Sequence, residues 1–224
     1  MDGAGTRQLE PADDPEQLHL GHFLDHIVEI AGPFLAEDVP LALELTVGPP
    51  DNLPLTEHRD LDNYLKPVAK KLGHHRFSAV FGRKRHQDHS TLAIGPAHPT
   101  MPTRSPDLTV APRGSYQRPE WRRQIRDACE QVHGLDPGGT APIALTIAYD
   151  ITPGRNWTEL WKGTIDGLGP LLGTHPRSKK QDDDPQDGRI TNLGLHQTIN
   201  EGLGNAKGHG SRWDITVSFW WEAG

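Results

Sequence analysis

The stretch Arg59-Asp60-Leu61-Asp62-Asn63-Tyr64-Leu65-Lys66 decides how this chain is read, because a degraded copy returns in its second half as Arg155-Asn156-Trp157-Thr158-Glu159-Leu160-Trp161-Lys162. Each copy follows an alternating apolar strand. Leu41, Leu43, Leu45 and Val47 alternate with Ala42, Glu44 and Thr46 before the first, and Ile143, Leu145 and Ile147 share one face of a strand from Pro142 to Tyr149 before the second. Each copy also opens an amphipathic helix, predicted from about Asp60 to Leu72 with a stop at Gly73, and from Trp157 to Leu172 with a stop at Gly173. A later aspartate closes each unit, Asp88 in the first and Asp187 in the second.

Outward from these segments, the same order of elements recurs. A helix over about Pro15 to Glu37 carries Leu20, Phe23, Leu24, Ile27, Val28, Ala31 and Phe34 at helical spacing, and a helix opened by Arg118-Pro119-Glu120 carries Trp121, Ile125, Ala128 and Val132. Short strands are predicted at Phe77–Phe81 and Thr91–Ile94, with a basic Arg83–His86 loop between them. Further strands are predicted at Ile190–Ile199 and Trp213–Trp221. Helix, strand, motif helix, strand, twice over, points to an internal repeat. The expected fold is α/β (α+β), with two related units in a single-chain pseudo-dimer. Residues 1–14 read as a disordered acidic arm, 15–98 as the unit with the full motif, 99–115 as a proline-rich linker in which Leu108–Val110 can add an edge strand, and 116–224 as the degenerate unit.

Composition narrows the function classes. A 34% apolar content with 24 Gly and 20 Pro implies many loops around a modest interior. The single cysteine, Cys129, excludes an internal disulfide and a cysteine-based zinc site. No apolar run of about 18 residues and no signal-like start is seen, so a soluble, cytoplasmic protein is expected. The net charge of −7 is unevenly spread: residues 1–60 carry 13 acidic and 2 basic side chains, residues 61–224 carry 17 and 21. The acidic N-terminal region is a candidate surface for a protein partner. The basic clusters are candidates for phosphate contacts: Lys70, Lys71, Arg83, Lys84 and Arg85, then Arg155 and Lys162, then Arg177, Lys179 and Lys180. Ordinary solvated faces are the competing reading.

The motif Asp-x-Asp-Asn-x-x-Lys puts two carboxylates at a helix start and an ammonium one turn on. Asp60, Asp62 and Asp88 are candidate ligands for Mg2+ or Mn2+, and Lys66 can stabilise the phosphate under attack or orient the attacking water. Helix capping by Asp60 or Asp62, with Lys66 as an ion-pair partner, is the alternative. His58-Arg59-Asp60-Leu61 also matches the start of a kinase catalytic loop, but the asparagine is misplaced and no glycine-rich nucleotide loop follows. His86-x-x-His89 has zinc-like spacing in what reads as a loop. The tryptophans could stack on bases but read as core.

The element order and the first motif together resemble the RusA-type Holliday-junction resolvases. That resemblance implies a small α/β unit that cuts four-way DNA junctions with magnesium or manganese. The motif falls on Asp60, Asp62, Asn63 and Lys66, and the third aspartate on Asp88. The second half departs from the pattern at Asn156 and Thr158 while keeping Lys162 and Asp187. The expected function is a metal-dependent, structure-selective endonuclease acting on branched DNA, with further self-association of the chain open. The alternative is a non-catalytic junction-binding or protein-interaction module on the same fold.

Overall fold

Alternating side chains build one sheet, and its strand order brings the two motif regions together. In the computed structural model, residues 5–8, 17–36, 39–57, 60–98, 101–132, 135–175, 184–201 and 215–223 are described. The 177–180 basic loop, Trp213 and most of the expected arm fall outside them. The sheet has eight strands: β1 (Gly5–Gln8), β2 (Leu41–Val47), β3 (Phe77–Lys84), β4 (Thr91–Pro96), β5 (Leu108–Val110), β6 (Ile143–Ile151), β7 (Ile190–Ile199) and β8 (Thr216–Ala223), in the order β1-β4-β2-β3-β7-β6-β8-β5. The helices are α1 (Gln17–Ala31), α2 (Leu61–Leu72), α3 (Pro119–Cys129), α4 (Leu160–Ile165) and α5 (Gly169–Leu172). The fold is mixed α and β. No helix of the described residues is long and apolar enough to cross a membrane.

Two parallel pairs, β2 with β3 and β6 with β7, are each joined through a helical crossover, as parallel pairing requires. They meet at an antiparallel β3–β7 contact in the middle of the sheet, where Phe81 lies opposite Gly194. β2 and β6 begin with the same burial alternation, and each has a register irregularity after its first residue, at Leu41/Ala42 and Ile143/Ala144. Leu43, Leu45, Leu65, Val80, Ile147, Leu195 and Phe219 belong to one continuous buried core. α2 lies so close to β3 that a Cβ on Gly82 would come within 2.9 Å of Leu65. Phe81 and Gly194 face the other side, beside Thr146 and His196.

Several expected elements are redrawn. The basic loop from Arg83 is shorter, because β3 continues to Lys84 and pairs with Thr46 and Val47 of β2. The helix expected over 157–172 is broken into a 3-10 turn at Trp157–Glu159, then α4, a second turn at Asp166–Leu168, and α5. Its glycines explain the break. They are poor helix formers, and they let α3 approach, since a Cβ on Gly167 would sit 2.9 Å from Ile125. Trp121, Trp157 and Trp161 are fully buried, so they are core rather than a stacking surface. Leu108–Val110 does form the edge strand, paired with β8. Gly5–Gln8, within the expected arm, pairs with β4 at the opposite edge.

Candidate metal centre

α2 starts at Leu61, directly after the extended residue Asp60 (φ −65°, ψ 137°). The Asp60 side chain does not cap the helix. It accepts a 2.9 Å hydrogen bond from Asn63 Nδ2, which ties the first acid of the motif to its asparagine. Asp62, one turn position later, is only 2% exposed. Its own backbone amide hydrogen-bonds its carboxylate, and Lys162 acts on it by charge. The helix ends at Gly73, whose φ of 90° is the left-handed conformation that glycine adopts without strain.

The third carboxylate is Asp187. Oxygens of Asp60, Asp62 and Asp187 all lie within 4.8 Å of one another. Topology is the cause. α2 runs back along β3, so its N-terminus sits at the C-terminal end of that strand. β7 is antiparallel to β3, with Asn192 opposite Arg83, so the start of β7 arrives at the same place. Asp187 opens the 3-10 turn Asp187–Arg189 just before β7. Arg189, buried, pins that turn with bonds to the carbonyls of Leu172 (2.7 Å), Asp136 (3.1 Å) and Ala141 (3.2 Å). Gln186 holds it from the other side through the Gly173 carbonyl (2.9 Å) and the Thr174 carbonyl (2.9 Å).

Asp88 does not join this group. β4 pairs with β2 on the side away from β7, so the β3–β4 turn crosses over Gly48 at the end of β2 and carries Asp88, exposed, with it. Sequence reading paired each motif with a later aspartate of its own half, Asp88 with the first and Asp187 with the second. Asp187-Gly188-Arg189-Ile190 before β7 was assigned to the second unit's own motif, whereas the turn before β3, His74-His75-Arg76-Phe77, has no acid to offer.

The lysines are exchanged as well. Lys66 turns away from the carboxylates to Glu159, with Nζ 3.0 Å from its carboxylate, and Lys70 pairs with the same acid. The ammonium beside the carboxylates is Lys162, from the second half of the chain, 3.9 Å from Asp187 and 3.1 Å from Asp166. Lys84 lies buried beneath the cluster and donates to the Gly188 carbonyl at 2.7 Å, so it is not a surface phosphate contact. Of the other candidates, Lys71 pairs with Asp25 (2.9 Å) and Arg83 with Glu44 (3.2 Å), the Arg155 guanidinium lies 5.3 Å from the centre of the Tyr116 ring, and Arg85 is exposed. Arg177, Lys179 and Lys180 lie outside the described residues.

Crowding shows in the protonation of the cluster. Burial pushes the Asp62 carboxyl up to about 6, against the pull of Lys162, with the Asp60 charge adding to the rise. Asp187 is raised further, first by burial, then by the charge of Asp60 and a hydrogen bond with it. Burial brings Lys84 down to about 8 although all three carboxylates oppose the change. Burial also works against the Lys162 ammonium, but Asp62, Asp166 and Asp187 outweigh it and hold its pKa above the usual lysine value. Two buried carboxylates, Asp62 and Asp187, crowded against the half-buried Asp60, are relieved by a proton or by a cation. An all-oxygen, anionic donor set of this kind suits a hard divalent ion, so the cluster could hold one. No protein-family model matches this chain and no curated protein does, so what the site does must follow from these side chains.

Proposed function

We propose that the chain is a metal-dependent, structure-selective endonuclease that hydrolyses phosphodiester bonds in branched DNA, in the manner of the RusA-type resolvases its sequence resembles, with Mg2+ or Mn2+ as its ion. We further propose that its two halves are copies of one unit related by a pseudo-two-fold axis through the Phe81–Gly194 pair. The observation that carries the reading is the convergence of Asp60 and Asp62 with Asp187, from opposite halves of the chain, on one point. The shared irregularity after the first residue of β2 and of β6, and the 3-10 turns His74–Arg76 and Asp187–Arg189 ahead of β3 and β7, support the duplication.

In this reading Asp60, Asp62 and Asp187 hold the ion. When bound, a divalent cation polarises a phosphoryl oxygen and lowers the pKa of a water molecule. Lys162, half exposed beside Asp187, is placed to neutralise charge on an incoming phosphate. Lys84 offsets the carboxylates from inside the protein and fixes the Gly188 carbonyl, which positions Asp187. Non-catalytic junction binding is favoured for the second half alone, where Asn156 and Thr158 replace the acids and Asn156 Oδ1 accepts from the Thr158 hydroxyl at 2.8 Å. The direct test is magnesium-dependent cleavage of four-way, flapped and linear DNA, with Asp62→Asn as control. Cleavage of branched substrates by the wild type and none by the variant is expected. Equal cleavage by both would end the proposal.

A further inference from the structure

If the halves are related in this way, every position of the metal centre has a counterpart. Asp60, Asp62, Asn63 and Lys66 stand opposite Asn156, Thr158, Glu159 and Lys162. The turn His74–Arg76 stands before β3 where Asp187–Arg189 stands before β7, which sets His74 opposite Asp187. A two-fold related centre would therefore comprise Asn156, Thr158 and His74, at the far end of the β3–β7 pair. The contacts agree with that placement. Trp157 Nε1 donates to the His74 carbonyl at 3.0 Å, and Lys66 crosses to Glu159 in the second half, as Lys162 crosses to the first-half carboxylates.

Resting on the endonuclease reading above, we propose that the chain binds one divalent cation, at Asp60, Asp62 and Asp187, and cuts one strand of a junction, the second centre having been rebuilt as a closed ion-pair cluster. Three differences carry this. The first centre contains a carboxylate, Asp62, that is 2% exposed and brings an oxygen to within 4.8 Å of oxygens of Asp60 and Asp187, so three acids meet there. In the second, Asn156 Oδ1 is already engaged by the Thr158 amide (3.2 Å) and hydroxyl (2.8 Å). The acid at that helix start, Glu159, is held by Lys70 and Lys66, which keep its carboxyl below the ordinary range.

Charge then decides where a hard cation goes. In the first centre three carboxylates face two ammoniums, Lys162 and Lys84. In the second, the Glu159 carboxylate is shared by two ammoniums, Lys66 and Lys70. A divalent ion is attracted to the first and repelled by the second. Each cut is a hydrolysis: a water oxygen bonds to phosphorus, one P–O ester bond breaks, the departing alkoxide takes up a proton, and the proton lost by the water passes to solvent.

Manganese titration of the full chain, followed by calorimetry and by the electron paramagnetic resonance signal of free Mn2+, tests the count without reference to activity. One ion per chain is expected for the wild type and none for Asp60→Asn/Asp62→Asn. Two ions on the wild type, or one retained by that double variant, would overturn the proposal. Restoring the second centre with His74→Asp/Asn156→Asp/Thr158→Asp/Glu159→Asn should raise the count to two if the variant folds; a folded variant that still binds one ion contradicts the assigned equivalence. On a supercoiled plasmid extruding a cruciform, with substrate in excess, nicked circles should precede linear DNA. Linear product without a nicked intermediate would refute single-strand cutting. One ion bound with no cleavage of any DNA would uphold the single site and reject the endonuclease reading alone.

Discussion

Replacing Asp62 by Asn should stabilise the metal-free protein. The Asp62 carboxyl titrates near 6 in the folded chain against 3.8 for an ordinary aspartate. The folded state therefore holds this proton more tightly than the unfolded chain, and the resulting advantage, complete at low pH, is lost as the pH rises through 6. At about pH 7.5 a difference of about two pKa units amounts to a penalty of about 3 kcal/mol. Asn has nearly the same shape, keeps an oxygen for the backbone amide and carries no charge. Its NH2 group, a donor, fits less well than a carboxyl oxygen beside the Lys162 and Lys84 ammoniums, so a net gain of about 2 kcal/mol is expected. For a chain of this length that corresponds to a rise in melting temperature of roughly 4–8 °C. Urea denaturation in EDTA, at about pH 7.5 and again near pH 4, measures it: the gain should shrink to about 0.5 kcal/mol at the lower pH. Added Mn2+ should reverse the ranking, because only the wild type gains binding free energy. A variant less stable than wild type at neutral pH in EDTA would refute the account of Asp62 as a carboxylate whose burial costs stability when it ionises.

Lys162→Met removes a competing cation from the cluster, so Mn2+ should bind about tenfold more tightly, equivalent to about 1.4 kcal/mol, while cleavage slows by roughly a hundredfold for want of charge at the phosphate; calorimetry and single-turnover kinetics separate the two. Gly173→Ala touches no ligand, yet its φ of 81° and the collision of a Cβ with the Pro137 carbonyl should displace Gln186 and the turn carrying Asp187. A stability loss of at least about 2 kcal/mol and clearly weaker Mn2+ binding by calorimetry are expected. Lys66→Ala and Asp88→Asn should leave the Mn2+ isotherm unchanged, and Lys66→Ala, which breaks a partly exposed ion pair, should cost less than about 1 kcal/mol in urea denaturation.

The parts of this molecule that depend on neighbours in the chain were legible in its sequence. Leu41 to Val47 alternates because one face of β2 is buried, and α2 ends at Gly73 because glycine accepts the left-handed conformation there. The parts that depend on strand order were not. Asp88 is close to the motif along the chain and distant in the fold, since β4 pairs with β2 and draws the intervening turn away from β7. Lys84 reads as the middle of a basic loop, but it continues the inward alternation of β3 and so ends beneath the carboxylates. Lys66 and Lys162 occupy the same place in their motifs and yet lie on opposite sides of the antiparallel β3–β7 contact, so each reaches the other half's helix start rather than its own. An antiparallel junction between two parallel crossovers makes that exchange necessary, because it brings the end of one unit's strand to the start of the other's. The Asp60–Asp62 motif is for that reason incomplete alone: the third carboxylate and the ammonium beside it come from the second half of the chain. Under the proposed reading, loss of Asp187 should empty the centre as surely as loss of Asp60, and loss of Lys162 should leave the ion bound but slow cleavage, so the first-half motif depends on the second half for both binding and rate.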